Sequence, residues 1–470
     1  MDGSNKASFG EVNFGGAQLG DARRTRRLIQ LADAMSRHPG GTLPTKLSEP
    51  CHLRAFYRIM DAPEVTHTAT MERHFAATRQ AIGAALQEKD VVLIIHDGTE
   101  LDYTHISAIQ EKLGQIGQGT CRGYICHNSL AVRAETREVL GLASQILHHR
   151  ADTPKNETAK ELRERESRES RLWVEGAKRS GPAPREGLVV DVSDTLSDTF
   201  EYMSYEIDNN RHFVLRSKEN RKLEVQINGH DYLHDGVRSW RSRESYTIEV
   251  SGNNGRKPRE AIVNISYGPV TIATPSRRSG EYEDKPLAMW AVRVWEPHPP
   301  AGEEPLEWIL LTTVQVTNVE EARTRATWYG HRFIIEDYHK GMKTGCGIET
   351  LQFEEIERLE PAIGVLSILA THLLKLRDAA RQPDADTRPA TEVVDEIYVE
   401  VLKQQYPKRL GKAPSVKQFY MHVARLGGHQ NRKIDGFPGW ITLWRGWMTL
   451  ESMVVGYRLA NRKQKRCGVK

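Results

Sequence analysis

Cysteine is scarce and poorly spaced for either of its structural uses. Five residues (Cys51, Cys121, Cys126, Cys346 and Cys467) are odd in number and contain no CxxC pair, which argues against a disulfide scaffold and a zinc ribbon and fits a reducing cytoplasm. An excess of one charge is also lacking. The 66 Lys and Arg against 62 Asp and Glu leave a net charge of +4, so composition alone does not mark a nucleic-acid binder. No long hydrophobic run is present. The most apolar stretch, Ile363 to Leu376, is broken by His372 and Lys375 and is too short to cross a bilayer core of about 30 Å, so it reads as a buried helix. The amino terminus is polar and has no apolar signal-peptide core, and no internal repeat or low-complexity tract appears.

What is present is ordinary in amount and particular in placement. A chain of 470 residues with 39% hydrophobic and 27% charged residues suggests two to four soluble domains. Basic residues cluster at Arg23, Arg24, Arg26 and Arg27, again at Lys408, Arg409 and Lys412, and at Arg462, Lys463, Lys465 and Arg466. Any one such cluster is more often a solvated face than a binding site.

Residues 1 to about 75 read as polar and helical, with Ala22 to Ser36 the clearest helix and Thr68 to Leu86 leading onward. His52 to Arg58 interleaves aromatics with bases, which suits phosphate contact beside a small core. Val91 to Ile95 is a run of β-formers ending at His96-Asp97-Gly98-Thr99, as in a strand buried on both faces. Tyr124 to Arg133 and Arg137 to His148 alternate like a hairpin, and Asn156 to Arg179 reads as a charged helix. Gly187 to Asp194 repeats the pattern of an apolar strand ending in aspartate. Ser197 to Ile207 looks helical and His212 to Arg216 extended. From about Arg221 to Glu296 the chain reads as β-rich without a helix, and Leu306 to Thr312 is a further strand. Helices return after about residue 380, where Trp440, Trp444 and Trp447 share one helix face.

The most specific pattern is Tyr329, Arg332, Glu336 and Lys343, spaced 3, 4 and 7 in a stretch predicted as one helix from Thr324 to Lys343. At 100° per residue the last three fall at about 300°, 340° and 320° from Tyr329, with Lys340 at about 20°. One arc of about 80° then carries a phenol, a guanidinium, a carboxylate and two ammonium groups. Such a face could hold one divalent metal through Glu336 with phosphates around it; an amphipathic helix with i,i+4 ion pairs is the plainer alternative.

These residues and spacings resemble the Y-(2)-R-(3)-E-(6)-K signature of bacterial cut-and-paste DDE transposases. Asp194-Thr-Leu-Ser-Asp198-Thr-Phe-Glu-Tyr202-Met is similar to that group's D-x-x-x-D-x-x-x-Y-L segment, with Thr195 and Leu196 where an Arg and a Glu are usual. The likeness to Tn-five-type transposases continues in Leu19-Gly-Asp-Ala-Arg-Arg-Thr, His212-Phe-Val-Leu-Arg-Ser-Lys218, Pro305-Leu-Glu-Trp308-Ile-Leu-Leu-Thr and Ala424-Arg-Leu-Gly-Gly428. The resemblance implies a multidomain α/β protein with an RNase H-like core. A helical end-binding domain would occupy 1–75. The catalytic domain would occupy 76–380, with a β-rich insertion at about 221–305, and a helical dimerisation domain 381–470.

Two strands each followed by Asp, then a helix bearing Glu, is the order of acids in such a core. Asp97, Asp194 and Glu336 would be its catalytic triad and metal ligands. Three converging carboxylates repel unless cations neutralise them, and hard oxygen ligands suit Mg²⁺, with Mn²⁺ as a substitute. Asp191 is the competing choice for the second aspartate but would lie inside its strand. The resemblance further implies a hairpin step on the DNA end. Trp308 would stack on a flipped base, with Phe333 offering a second ring, and Tyr329, Arg332, Lys340 and Lys343 would hold phosphates. Arg216, Lys218 and Arg221, with Arg23, Arg24, Arg26 and Arg27, would contact end DNA. The expected partners are double-stranded transposon-end DNA, target DNA and a second copy in the synaptic complex. The expected location is the cytoplasm, at the nucleoid when DNA is bound. An RNase H-like nuclease that cleaves without joining, and an inactive relative that only binds DNA, are the alternatives.

Overall fold

The chain opens with helices because its apolar residues recur at helical spacing behind recognisable caps. In the computed structural model, Ser8 caps Phe9–Phe14 (α1) through a reciprocal capping box with Glu11, and Asp21 caps Ala22–Arg37 (α2). Leu43–Lys46 (α3) and Pro50–Met60 (α4) both carry proline in the first turn, and Thr66 caps His67–Gln87 (α5). α2 buries Leu28, Leu31 and Met35 and leaves Arg23 and Arg26 exposed. The structure describes residues 7–150, 158, 161, 165, 167–250, 258–276, 282–432 and 437–467, with Leu376 and 462–467 described by backbone alone.

Twelve strands among the described residues join one mixed sheet. Val91–Asp102 (β1) pairs antiparallel with Arg122–Arg133 (β3) and parallel with Leu188–Ser193 (β5). β3 also pairs with Gly114–Gln115 (β2) and Val139–His148 (β4), while His212–Arg216 (β6) lies parallel to β5. The sheet then continues antiparallel through Glu307–Thr312 (β12), Leu287–Trp295 (β11), Arg259–Ile272 (β10) and Lys222–Ile227 (β7). His230–Tyr232 (β8) closes that edge and Glu244–Val250 (β9) pairs with β10. Side chains alternate between two cores as a pleated strand requires. Val214, Leu310 and Val292 join the larger one, whereas Phe213, Leu215, Ile309 and Leu311 pack with Trp173, Phe200 and Tyr202.

The remaining helices are Leu172–Arg179 (α6), Phe200–Asp208 (α7), Leu233–Arg238 (α8), Val319–Gly330 (α9), Phe333–Lys340 (α10), Ile356–Ala379 (α11), Glu396–Gln405 (α12), Val416–Leu426 (α13) and Trp440–Cys467 (α14). The larger core is continuous from Phe14 in α1 through Leu93 in β1 and Ile363 in α11 to Val454 in α14. α11 is long and apolar enough by composition to cross a membrane, yet 82% of its apolar window is buried inside the protein. Its 24 residues exceed the apolar stretch that suggested it, so burial, not shortness, is what distinguishes it here.

Several sequence-based boundaries move. β1 does not stop at Ile95 but runs seven residues further to Asp102, because β3 supplies backbone partners as far as Asp102↔Gly123. Of the expected charged helix, Leu172–Arg179 is described behind a short turn, Glu169–Arg171, and Glu161 is helical; most of 156–166 lies outside the described residues. The helix expected from Ser197 begins at Phe200, since Thr199 provides the cap. The β-rich insertion does hold a short helix, α8, which packs its Leu233 and Val237 into the smaller core. The predicted Thr324–Lys343 helix is three pieces. α9 ends at Gly330, α10 restarts at Phe333, and Gly341–Gly345 forms a π turn.

Candidate functional site

Each element above delivers one side chain to a common place. Asp97 lies in the middle of β1, opposite Asn128, rather than at a strand end. Asp194 is the first residue beyond β5, and its Oδ1 accepts from Leu196 N at 2.9 Å to cap the turn Thr195–Ser197. Glu336 sits in the first turn of α10. Arg332 joins them, with Nη1 at 3.8 Å from Asp97 Oδ2 and Nη2 at 3.2 Å from Glu336 Oε1. The break at His331–Arg332, where Arg332 N bonds back to Tyr329 O at 3.0 Å, separates Tyr329 from the other signature residues by a change of helix. Even so, Tyr329 faces Arg332, Arg216 and Asp194.

The electrostatics record crowding of like charge. Burial pushes the Asp97 carboxyl up to about 6, with Asp194 and Glu336 adding to the rise while Arg332 and the Gly98 N–H oppose it. Burial also raises the Tyr329 phenol, against the pull of Arg332 and Arg216. The donor set is entirely hard oxygen and carries more negative charge than one guanidinium neutralises. By its chemistry such a set could hold a hard divalent cation such as Mg²⁺ or Mn²⁺. The ligand atoms of Asp97, Asp194 and Glu336 are not all within 4.8 Å of one another. The group among the described residues that is this close is Glu49, Cys51 and His52, at the N-terminus of α4, where the helix dipole disfavours a cation.

The other anticipated residues fall into distinct settings. Trp308 on β12 is half-buried and lines a cavity of about 220 Å³ together with Tyr246, Tyr329 and Phe333. Phe333 is exposed, and the Arg332 guanidinium lies 4.7 Å from its ring centroid. Lys343 approaches Glu349 at 3.3 Å, and Lys340 lies 3.8 Å from Asp337, not beside Glu336. The π turn explains the displacement of Lys343: Cys346 N bonds five residues back to Gly341 O, widening the helix where Gly341 and Gly345 approach Leu374, Leu373 and Trp440. Arg216 Nη2 donates to Glu307 O, and Lys218 is exposed. Arg221 is clamped onto Asp198 at 2.9 Å. In the amino-terminal region Arg23 pairs with Asp21 and Arg24 with Glu64, Arg27 donates to Gln30, and Arg26 is exposed. Side chains from Arg462 onward lie outside the described residues.

Sequence reasoning missed the supporting residues. Asp198 is 5% exposed and its Oδ2 accepts from the N–H groups of Lys218 and Glu219 at 2.7 and 2.8 Å, so it shapes the loop that carries Lys218 and Arg221. Asp191 is buried, accepts from His96 Nε2 at 2.7 Å, and takes two bonds from Arg211 at 2.8 and 2.7 Å. Burial opposes its ionisation, yet Arg211 and His96 hold it below the usual carboxylate range; the neighbouring Glu206 carboxyl is driven well up by burial and by Asp191. The signal available was the cluster of Asp191, Asp194 and Asp198, which falls in β5 and at the two ends of the turn that follows it. Trp440, Trp444 and Trp447 are buried against Leu373, Tyr420 and Val423 of the same chain, because α11 and α13 supply an apolar surface for them.

A mixed α/β chain with helical segments and a pocket of acids beside basic and aromatic groups has the makings of a DNA-processing protein. Residues 6–65, α1 to α4 and the turn after them, match the family model described as Transposase DNA-binding. That match supports a transposase that binds DNA.

Proposed function

We propose that this chain is a cut-and-paste DNA transposase with a metal-dependent DDE site. The convergence of Asp97, Asp194 and Glu336 about Arg332 carries the reading, and the family match at residues 6–65 agrees with it. The strand order supports an RNase H-like core: antiparallel β4-β3-β1 followed by parallel β5 and β6. On this reading the sheet beyond β12 is the insertion and α1–α4 bind transposon ends.

Asp97, Asp194 and Glu336 would hold Mg²⁺ or Mn²⁺. When bound, such ions would supply Lewis-acid activation of a water or a 3′-hydroxyl and would stabilise the leaving oxygen. The chain's own groups do the rest. Arg332 balances the acids before DNA arrives and then turns toward a phosphate, and Lys343 and Arg216 flank the strand path. Hairpin formation requires one nucleotide to leave the stack, and the cavity lined by Trp308, Tyr246, Tyr329 and Phe333 offers aromatic faces for its base. The freed 3′ end then joins target DNA.

The test uses duplexes made from the DNA flanking the gene. Asp97→Ala, Asp194→Ala and Glu336→Ala should each abolish Mg²⁺-dependent nicking, a loss of at least about 10³-fold, with end binding largely retained because phosphate contacts come from other residues. Full cleavage by Asp194→Ala would assign the chemistry elsewhere. Nicking without joining of pre-cleaved ends would make the chain a nuclease instead.

A further inference from the structure

The ladder between β1 and β5 ends one rung short of the acids. Its last pair is His96↔Ser193, after which β5 stops and β1 continues. No backbone hydrogen bond of that ladder therefore sets the distance between Asp97 and Asp194. Directly behind them, on the opposite side of the pleat, lies a run of buried side-chain bonds. Ser144 on β4 meets Ser129 on β3 at 2.7 Å, Ser129 meets His96 Nδ1 at 2.9 Å, His96 Nε2 meets Asp191 at 2.7 Å, and Arg211 at the entry to β6 grips Asp191 twice. All five residues are at most 6% exposed.

The direction of these bonds is consistent. A carboxylate only accepts, so Nε2 donates to Asp191, and in the neutral ring Nδ1 accepts from Ser129. Ser129 and His96 then both donate toward Asp191, which a guanidinium anchors on its far side, while the Ser144 hydroxyl at the outer end also lies 3.3 Å from Gly176 O. We propose that this polar stitch, Ser144–Ser129–His96–Asp191–Arg211, is the device that fixes the separation of Asp97 and Asp194, making His96 and Asp191 positioning residues for metal capture. The inference rests on the triad reading above and deepens it.

His96 is one residue from Asp97, so rotating or releasing its ring moves the β1 backbone that carries the ligand. Asp191 is three residues before Asp194 on the strand whose end must stay in register. Residues behind a metal ligand act by orientation, and removing one typically weakens metal binding about 10–100-fold.

The experiment measures Mn²⁺ binding to the DNA-free full chain by electron paramagnetic resonance, beside the Mg²⁺ concentration giving half-maximal nicking and a melting curve. His96→Leu should weaken Mn²⁺ binding and raise the Mg²⁺ requirement by about tenfold. His96→Gln, whose amide still donates to Asp191, should recover most of it. Ser129→Ala, one bond further out and nearly isosteric, should give a smaller shift in the same direction and serves if His96→Leu does not fold. Unchanged Mn²⁺ affinity and Mg²⁺ requirement in folded His96→Leu, or in Ser129→Ala if the former fails to fold, would overturn the proposal. Failure of the triad reading looks different: the parent chain would then show no Mn²⁺ site that Asp97→Ala removes.

Discussion

Trp308 illustrates how one side chain can serve either a core or a ligand, and its surroundings separate the two. It pairs through its backbone with Val294, so β12 is held whatever the ring does, while the ring borders a cavity rather than closed packing. If the proposed hairpin step holds, Trp308→Ala is expected to spare the first nick and to depress hairpin formation, since base stacking worth about 1–3 kcal/mol would be lost from the strained turn. Gel separation of nicked and hairpin products, with an abasic site at the flipped position as partial rescue, checks this. Joint loss of nicking, hairpin and thermal stability would make the ring structural. At this scale the sequence was legible where spacing was unusual. Tyr329, Arg332, Glu336 and Lys343 stood out, whereas the supporting roles of Asp191 and Asp198, and Arg211 altogether, emerge only once their partners along the chain are seen.

Among the elements, α14 is the most altered by its neighbours. Its Trp447 Nε1 donates to Glu451 at 3.1 Å, and burial pushes the Glu451 carboxyl up to about 7 despite the nearby Lys46 ammonium. A carboxyl whose folded pKa is raised contributes stability that is fully present below about pH 4.5 and lost as pH rises through about 7. Moving from pH 5 to pH 8 should therefore cost up to roughly 3 kcal/mol through this group alone. Glu451→Gln keeps the acceptor for Trp447 and removes the titration. Its melting temperature should match the parent at pH 5 and exceed it at pH 8, and equal melting at both would exclude this role. Strands bounded by turns, and helices with clear caps, were readable from the sequence. The helix break at His331–Arg332 was not, and neither was the π turn, where Gly341 and Gly345 lie close to Leu373, Leu374 and Trp440 from elsewhere in the chain.

For the whole molecule, the proposed synapsis of two ends calls for two protomers, and Trp440, Trp444 and Trp447 are buried within one chain. α14 has a second apolar side: Ile441, Val455 and Leu459 are 48%, 47% and 57% exposed, and their spacing places them on one face. Two protomers per pair of end duplexes are expected in sedimentation velocity under cleaving conditions, and Leu459→Glu should shift the complex toward one protein per duplex. A Leu459→Glu chain that pairs like the parent would remove this face from consideration.

The order of segments was visible in the sequence, but their union was not. Lys46 in α3 donates to Cys346 O at 2.8 Å, the Phe9 ring packs at a tilt against His372 at 4.9 Å, and Tyr57 meets Phe353 at 5.3 Å. The helices that match a DNA-binding family thus share their interior with α11 and α14. A protein built this way offers recombination no clean seam. On the proposed reading, in which α1–α4 contact DNA, a change of DNA specificity could not come by exchanging a module without also rebuilding the interior those helices share with the rest of the chain.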